Sequence, residues 1–281
     1  MKIFLTGGTG FVGSHFLNQA LQAGHEVIAL KRPGSSPRLP VIGTPTWIEG
    51  ALDEDYREFL QDADALVHLA AHTPNPPYDS LERCLYWNVF ASIQLARQAA
   101  EQGVKQFLVA GSCFEYGRSA DMVTEVDIDT SLAPSSSYPI SKAAASVAFL
   151  GFARELQLQL KLLRIFQVYG EGEQASRLWP SLRQAALAGR DFPMSSGEQI
   201  RDFIVVEEVA RQLVLALDFS TVQAGSPLIG HVATGHPQTL LAFVQHWWRH
   251  WGATGQLHVG AIPYRANEMM RLVSAPSALR F

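Results

Sequence analysis

A tyrosine and a lysine stand four residues apart in the segment Tyr138-Pro139-Ile140-Ser141-Lys142. On a helix this spacing puts the phenol and the ammonium on one face, and the serines at 135–137 and Pro139 predict a helix that begins here. A nearby ammonium favours the phenolate and lowers the pKa of a tyrosine from its usual value of about 10. Such a tyrosine can exchange a proton with a carbonyl or carbinol oxygen at neutral pH.

A second hydroxyl stands in the segment Gly111–Gly117, directly after the apolar run Phe107–Ala110. A continuous apolar run is typical of a buried parallel strand, and ligands bind where such strands end. We therefore predict that Ser112 bonds the same substrate oxygen as Tyr138. The predicted catalytic residues are Ser112, Tyr138 and Lys142, and Lys142 can also hold a nicotinamide ribose.

The turn that would hold such a cofactor is Thr6-Gly7-Gly8-Thr9-Gly10-Phe11-Val12-Gly13, directly after the apolar run Ile3–Leu5. The first glycine of such a pattern allows a tight turn, the second lets the backbone approach a pyrophosphate, and the third lets helix and strand pack closely. The helix that follows would offer free N–H groups to the phosphates. A glycine turn alone is equally a structural turn, but with Tyr138 and Lys142 downstream it indicates a dinucleotide site.

Strand-like and helix-like segments alternate along the first part of the chain, which predicts an α/β fold with a Rossmann-type doubly wound parallel sheet. Residues 1–170 are expected to form the dinucleotide-binding domain, with contributions from 200–235, and 171–281 mainly a smaller substrate-binding lobe. The predicted strands lie at 2–5, 27–30, near 47–48, at 65–69, 107–110 and 161–166, and the predicted helices at 11–23, 54–60, 79–101, from 138, 176–188, 207–217 and 240–251.

Length and composition narrow the class of protein. The 281 residues are 47% hydrophobic, enough to bury a large core, and a net charge of −4 argues against nucleic acid as a partner. The two cysteines make neither a disulfide framework nor a zinc-ligand spacing, so no metal is expected. With no signal-peptide pattern and no apolar run of about 20 residues, we expect a cytoplasmic protein without a membrane partner.

Taken together, these segments resemble the extended short-chain dehydrogenase/reductases that act on nucleotide sugars, an epimerase/dehydratase family. The resemblance runs from Lys2 to about Leu272. Besides the glycine turn and Tyr138/Lys142, it rests on Val67–Ala71, similar to the family's H-L-A-A, on Asn88-Val89, similar to its N-V, on Leu163–Gly170, similar to L-R-x-x-N-V-Y-G, and on Arg201–Val206, similar to R-D-F-V-x-V.

The resemblance implies residue roles, a nucleotide-sugar substrate and a homodimer. The implied cofactor-binding residues are Gly7, Thr9, Gly10, Phe11, Val12, Gly13, Lys31, Arg32, Leu52, Leu69, Ala70, Ala71, Asn88, Tyr138 and Lys142. The implied substrate-binding residues are His72, Ser112, Cys113, Phe114, Gln167, Arg201 and Arg265. The helix from Tyr138 to Leu156 is apolar nearly all round, so we expect it to share the dimer interface with the helix at 79–101.

Departures from the family pattern refine these expectations. NAD-preferring members carry an acid where this chain has Lys31 and Arg32, which would pair with a 2′-phosphate; this favours NADP(H) over NAD. Cys113 and Phe114 replace the acid and base of the family's 4,6-dehydratases, which argues against dehydration. Gln167 replaces an asparagine but keeps an amide donor.

A last segment narrows the reaction. Pro263-Tyr264-Arg265, with Glu268 three residues on, resembles the P-Y-R-x-x-E of nucleotide-sugar 4-ketoreductases such as the CDP-abequose and CDP-paratose synthases. The prediction is NADPH-dependent reduction of a nucleotide-diphosphate 4-keto-6-deoxyhexose at C4. The alternatives are a 4-epimerase that retains NAD, a reductase of a non-sugar ketone, and a non-catalytic NADP(H)-binding regulator.

Overall fold

The computed structural model describes residues 1–265 and 268–278; residues 266–267 and 279–281, at the end of the predicted C-terminal lobe, lie outside the described residues. Its strands are β1 Lys2–Thr6, β2 Glu26–Lys31, β3 Thr46–Glu49, β4 Ala65–His68, β5 Gln106–Ser112, β6 Gln159–Ile165, β7 Gln167–Tyr169, β8 Phe192–Met194, β9 Ile200–Val205, β10 Leu228–Val232, β11 Pro237–Thr239, β12 Leu257–Val259 and β13 Arg271–Leu272. Its α-helices are α1 Phe11–Gln22, α2 Arg57–Leu60, α3 Leu81–Leu85, α4 Ser92–Glu101, α5 Ser137–Glu155, α6 Leu178–Leu187, α7 Val206–Leu215 and α8 Leu240–His250.

Seven parallel strands form the main sheet, in the spatial order β10-β6-β5-β4-β1-β2-β3. Successive side chains of a strand point to opposite faces, and β1 follows this rule: Leu5 packs with α1 and α7 on one face, while Phe4 packs with α4 and α5 on the other. Both faces are therefore covered, which confirms the doubly wound Rossmann-type sheet predicted from the alternation of elements.

The helix predicted over 79–101 differs in its geometry. It begins at Leu81, where the Ser80 side chain accepts the N–H of Arg83, changes to π-helical geometry over Tyr86–Ala91, and continues as α4. π-Helical turns inside α-helices are frequent at functional sites, and this one contains Asn88.

The elements after β6 belong to two parts of the fold, the main sheet with its helices and a separate small sheet with α6 and α8. Helix α7 packs on α1, and β10 adds an edge strand to the main sheet beside β6. Strands β7, β9, β11 and β13 form a separate small sheet, and α6 and α8 pack together with Trp248 between them and β8. Trp247 and Trp251 pack against the same cluster. No helix in the described part of the chain is long and apolar enough to cross a membrane.

Candidate active site

The glycine turn lies at the carboxyl end of β1 and leads directly into α1. Gly7 has a φ of +79°, and a Cβ there would lie 2.6 Å from the Ala70 nitrogen. A Cβ on Gly13 would lie 2.0 Å from the Gly7 carbonyl oxygen, so close packing requires glycine. No side chain caps the Gly10 end of α1 and no acidic residue stands in its first turn. The free N–H groups of this turn fit the diphosphate of a dinucleotide.

Two buried side chains join the turn to the neighbouring strand end. The Thr6 Oγ1 lies 2.8 Å from the His68 Nδ1 and accepts the N–H of Ala70 at 3.3 Å. Burial and the charge of Lys142 lower the pKa of His68 to about 3, so its ring is neutral. The Leu69–Ala71 segment is thereby held against the glycine turn.

Asn88 connects this segment to the helix that carries the candidate tyrosine. Its Oδ1 accepts the N–H of His72 at 2.7 Å, while its Nδ2 donates to the Ser141 Oγ at 2.9 Å and to the His72 carbonyl at 3.3 Å. The three hydrogen bonds of the Asn88 side chain thus go to His72 and Ser141. Its predicted role in cofactor binding stays a prediction.

The structure brings Ser112 and Tyr138 together. Ser112 ends β5, its Oγ accepts the N–H of Phe114 at 3.3 Å, and its side chain favours the phenolate of Tyr138. Tyr138 lies in the first turn of α5 and is 7% exposed. Burial raises the pKa of Tyr138, with the charge of Glu115 acting in the same direction. The phenol is therefore protonated at neutral pH.

Lys142 is also buried in α5, but the pKa of Tyr138 is raised, whereas the sequence predicted that it would be lowered. Its Nζ donates to the Ala110 carbonyl at 2.7 Å, and the loss of solvent around Tyr138 outweighs the effect of Ser112, which favours the phenolate. Burial also lowers the pKa of Lys142, opposed by the Glu115 carboxylate. The pKa prediction was wrong because the tyrosine is buried, a property that its spacing from Lys142 does not reveal.

Tyr78 is a site residue that the sequence analysis missed. Its ring lies 5.5 Å from that of Tyr138 at an interplanar angle of 30°. Burial raises the pKa of Tyr78, and the charges of Arg177 and Arg265 oppose the increase. The segment Thr73-Pro74-Asn75-Pro76-Pro77 that leads to Tyr78 is rich in proline, but proline indicates only a loop and not the surface that the loop covers.

The loop that carries Tyr78 is closed by its own bonds. The His72 Nε2 lies 2.8 Å from the Asp79 Oδ2, and Ser137, next to Tyr138, donates to the Asp79 carbonyl. On the same loop, the Asn75 Nδ2 donates to the Gln174 Oε1 at 2.9 Å. His72, a predicted substrate residue, therefore helps to hold the loop over Tyr138.

The other predicted substrate residues are placed differently. Arg201 is 7% exposed, and its guanidinium bonds the Glu268 carboxylate at 3.0 Å and the carbonyls of Ile200 and Met269. Arg265 is exposed. Cys113 is buried beside Tyr116 and Phe166, which raises the pKa of its thiol, whereas Phe114 is half-buried and Gln167 lines a small cavity with Arg177.

The two cations at the end of β2 also differ. The Lys31 Nζ pairs with the Glu49 carboxylate at 2.9 Å and lies 5.7 Å from the centre of the Trp47 ring. Arg32 is exposed, and within residues 1–265 and 268–278 its guanidinium has no ion pair. Arg32 therefore fits a phosphate, while Lys31 shares its charge with an acid. Leu52, also predicted to contact the cofactor, is partly buried and packs against the hydrophobic core.

A cavity of about 410 Å³ lies at the start of α6, lined by Gly170–Glu173, Trp179, Pro180, Arg183, Gln184, Leu187 and Ala188. Burial raises the pKa of Glu173 to about 7. The Glu173 Oε2 and the Trp179 Nε1 are buried without a hydrogen-bond partner among the described residues.

Comparisons with known proteins agree with this geometry. The model of the NAD dependent epimerase/dehydratase family matches residues 3–228. A dTDP-6-deoxy-L-talose 4-dehydrogenase (NAD(+)) of Aggregatibacter actinomycetemcomitans is 28% identical over 218 residues, which cover 76% of this chain and 78% of the relative. A UDP-glucose 4-epimerase of Corynebacterium glutamicum is 27% identical over 255 residues, 84% of this chain and 76% of the relative.

Among solved structures, the NAD-dependent NDP-hexosamine 5,6-dehydratase TunA superposes with a TM-score of 0.83 at 26% identity, over 98% of this chain and 89% of that chain.

Proposed function

The chain belongs to the NAD dependent epimerase/dehydratase family and is an NAD(P)-dependent enzyme of the extended short-chain dehydrogenase/reductase type, and we propose that it reduces a nucleotide-diphosphate 4-keto-6-deoxyhexose at C4 with NADPH. The observation that carries the proposal is that Ser112, at the end of β5, acts on the buried and protonated Tyr138 at the start of α5. A reduction needs a proton for the new hydroxyl, and this phenol holds one.

The residues of the site have separate tasks in this reaction. Gly7, Gly10 and Gly13 would hold the diphosphate of the cofactor, and the bound nicotinamide supplies a hydride. Tyr138 gives its proton to the carbonyl oxygen as that oxygen becomes a hydroxyl, while Ser112 orients the oxygen by a hydrogen bond. The Lys142 ammonium then stabilises the phenolate left on Tyr138.

The proposed substrate class is based on the names of the relatives and on two arginines, Arg177 and Arg265. One relative is named for a dTDP-linked 6-deoxysugar and others for UDP-sugars. The charges of Arg177 and Arg265 act on Tyr78, whose ring packs against that of Tyr138, and the guanidinium fork suits the paired oxygens of a diphosphate. We propose that these two arginines hold the diphosphate of the substrate.

Turnover of a substrate panel tests this proposal. The purified protein is mixed with NADPH and with CDP-, dTDP- and GDP-linked 4-keto-6-deoxyhexoses, and loss of the reduced-nicotinamide absorbance is followed. We expect oxidation with at least one ketosugar and none with the Tyr138→Phe variant. No oxidation across the panel would refute the proposal.

The preference for NADPH rests on Arg32, whose exposed guanidinium would pair with a 2′-phosphate. We expect Arg32→Ala to weaken NADPH binding by about tenfold, the loss of one exposed phosphate contact, and to leave NADH binding unchanged. Arg154→Ala, a change of an exposed arginine in the last turn of α5, is the matched control. Equal weakening of both cofactors by Arg32→Ala would contradict the preference, and Glu49 beside Lys31 would then favour NAD.

A 4-epimerase is the second candidate, because several relatives with almost the same identity are UDP-glucose 4-epimerases. An epimerase oxidises and re-reduces C4 without net use of cofactor. Tightly held NAD(H) in the purified protein, with interconversion of UDP-glucose and UDP-galactose, would support this candidate instead.

Three further expectations belong to this proposal. Residues 171–281 would form the substrate-binding lobe, and the cytoplasm would be the site of action, where the two free cysteines are stable.

A homodimer would form through α3, the π-helical segment and α5, which expose Tyr86, Phe90 and Val147 at 45%, 66% and 63%. Light scattering of a Phe90→Glu variant tests the dimer, which should dissociate.

A further inference from the structure

Glu115 is a fully buried carboxylate, three residues after Ser112, to which the proposed mechanism gives no task. Its Oε1 accepts the backbone N–H of Ser112 at 2.7 Å, while the Ser112 Oγ accepts the N–H of Phe114. These two bonds form a capping box around the short 3-10 helix Cys113–Tyr116. The backbone of Ser112 and the direction of its hydroxyl are therefore both fixed from this helix.

The second oxygen of Glu115 reaches a different element. Its Oε2 accepts the Ser146 Oγ at 2.8 Å and the Arg164 Nε at 2.9 Å. Ser146 lies on α5, one helical turn beyond Lys142 and two beyond Tyr138. One carboxylate thus bonds the turn that carries Ser112 and the helix that carries Tyr138 and Lys142.

Arg164 extends these bonds into the sheet. It is 3% exposed on β6, and its Nη1 donates to the Tyr116 hydroxyl at 2.8 Å. Tyr116 in turn lies 2.5 Å from the His231 Nε2 on β10. Burial and the charge of Arg164 lower the pKa of His231 to about 3, so its ring adds no second positive charge to the network. Arg164 is the cation that pairs with Glu115.

A buried ion pair is weak grounds for stability, because apolar residues of the same shape often stabilise a protein as well. Its value here lies in geometry: the carboxylate offers several acceptor sites in fixed directions, and three of them are used by groups from three elements. A hydrophobic side chain in this place could fill the space but could not hold Ser112 and α5 at one separation.

We propose that Glu115 is a positioning residue that sets the separation between Ser112 and Tyr138, so that both hydroxyls reach one substrate oxygen. The inference rests on the proposed function, since it takes Ser112 and Tyr138 as the groups that act on the substrate. Glu115 itself contacts neither substrate nor cofactor; it acts through the backbone of Ser112 and through Ser146.

Substitution by glutamine tests the positioning role. Glu115→Gln keeps the size of the side chain and one carbonyl acceptor but loses the second acceptor shared by Ser146 and Arg164. We expect the maximal rate of hydride transfer to a ketosugar to fall by about 30- to 100-fold, as for a small misplacement of reacting groups. The KM of the sugar and the Kd of NADPH should stay within about threefold.

Two controls make the comparison specific. Glu101→Gln is the same change in a surface glutamate paired with Arg57, and its rate should equal that of the wild type. Ser146→Ala removes one bond to Oε2 and leaves the carboxylate and Arg164, so its rate should fall by less than that of Glu115→Gln. If Glu115→Gln does not fold, the double variant Glu115→Gln/Arg164→Met, which leaves no unpaired buried charge, is measured instead.

A folded Glu115→Gln enzyme with a rate within about threefold of the wild type would overturn the proposal. So would an equal loss of NADPH binding and of rate, since Glu115 would then only support the fold.

If the wild type reduces no ketosugar, the proposed function fails and hydrogen exchange of the protein with bound NADP⁺ judges Glu115 by itself. Faster exchange at Ser112–Glu115 in Glu115→Gln, with unchanged exchange in the glycine turn, supports positioning. Unchanged exchange at Ser112–Glu115 refutes it.

Discussion

Two glutamates, Glu115 after β5 and Glu173 before α6, are buried beside arginines, but their surroundings differ. Glu115 accepts bonds from Ser112, Ser146 and Arg164 at 2.7 to 2.9 Å, so both of its oxygens are used. Glu173 has one contact of 3.4 Å with Arg177, and its Oε2 has no partner among the described residues.

The difference separates two kinds of site. Around Glu115 the chain satisfies its own buried polar groups, so the separation between Ser112 and Tyr138 is fixed before any ligand binds. Around Glu173 the pKa of the carboxyl is raised to about 7, and the neighbouring Trp179 N–H is also without a partner in the described parts of the chain. We infer that the first region performs the chemistry.

The largest expected contrast is in turnover. Tyr138→Phe removes the proton donor from the region around Glu115, and the rate of hydride transfer should fall by about 10³-fold or more. Glu173→Gln changes the other region and should alter the rate by less than about threefold, because Glu173 does not act on the reacting oxygen. Single-turnover kinetics with a ketosugar measures both, and a large loss of rate in Glu173→Gln would break the comparison.

The second contrast is in stability. Arg164→Met leaves the Glu115 carboxylate buried without its cation and should lower the free energy of unfolding by about 3–5 kcal/mol. Arg177→Met should cost about 1 kcal/mol or less, because Arg177 is 24% exposed and Glu173 can take up a proton instead. Urea denaturation at pH 7 gives both values, and equal losses would show that the two ion pairs do not differ.

The third and smallest contrast is in pH dependence. Folded Glu173 holds its proton up to a pKa of about 7, whereas the unfolded chain releases it near 4.5. The folded state therefore binds more protons between these values, and the wild type loses stability as the pH rises through this window. Relative to the wild type, Glu173→Gln should gain about 3 kcal/mol between pH 4.5 and 8.

Thermal unfolding across the pH range checks this gain, with Glu155→Gln as an exposed control that should follow the wild type. A difference between Glu173→Gln and the wild type that does not change with pH would mean that Glu173 is ionised throughout.

Much of the region around Glu115 could be predicted from the sequence, because its signals are local. The glycine spacing fixes the turn at Gly7–Gly13, and the apolar run before Ser112 places that serine at a strand end. The pair Tyr138 and Lys142 follows from helical periodicity. Even Glu115 has a local signal, since Ser112-Cys113-Phe114-Glu115 has the S-x-x-E spacing of a capping box.

The remaining features of the site depend on contacts between segments that are far apart in the sequence. No sequence pattern links the loop of Tyr78 to Tyr138, because the two rings come into contact only when the chain folds. The family resemblance implied that Arg201 binds substrate, and the structure pairs its guanidinium with Glu268. The raised pKa of Tyr138 follows from burial, which is a property of the packed site rather than of the spacing to Lys142.

The central claim is that hydride passes from an exchangeable cofactor to C4 of a ketosugar while Tyr138 supplies the proton. The most direct measurement uses NADPH deuterated at the transferring position and mass spectrometry of the sugar product and the released cofactor. We expect one deuterium at C4 of the reduced sugar, release of NADP⁺ in equal amount, and neither product from Tyr138→Phe. Interconversion of C4 epimers without deuterium and without cofactor release would contradict it.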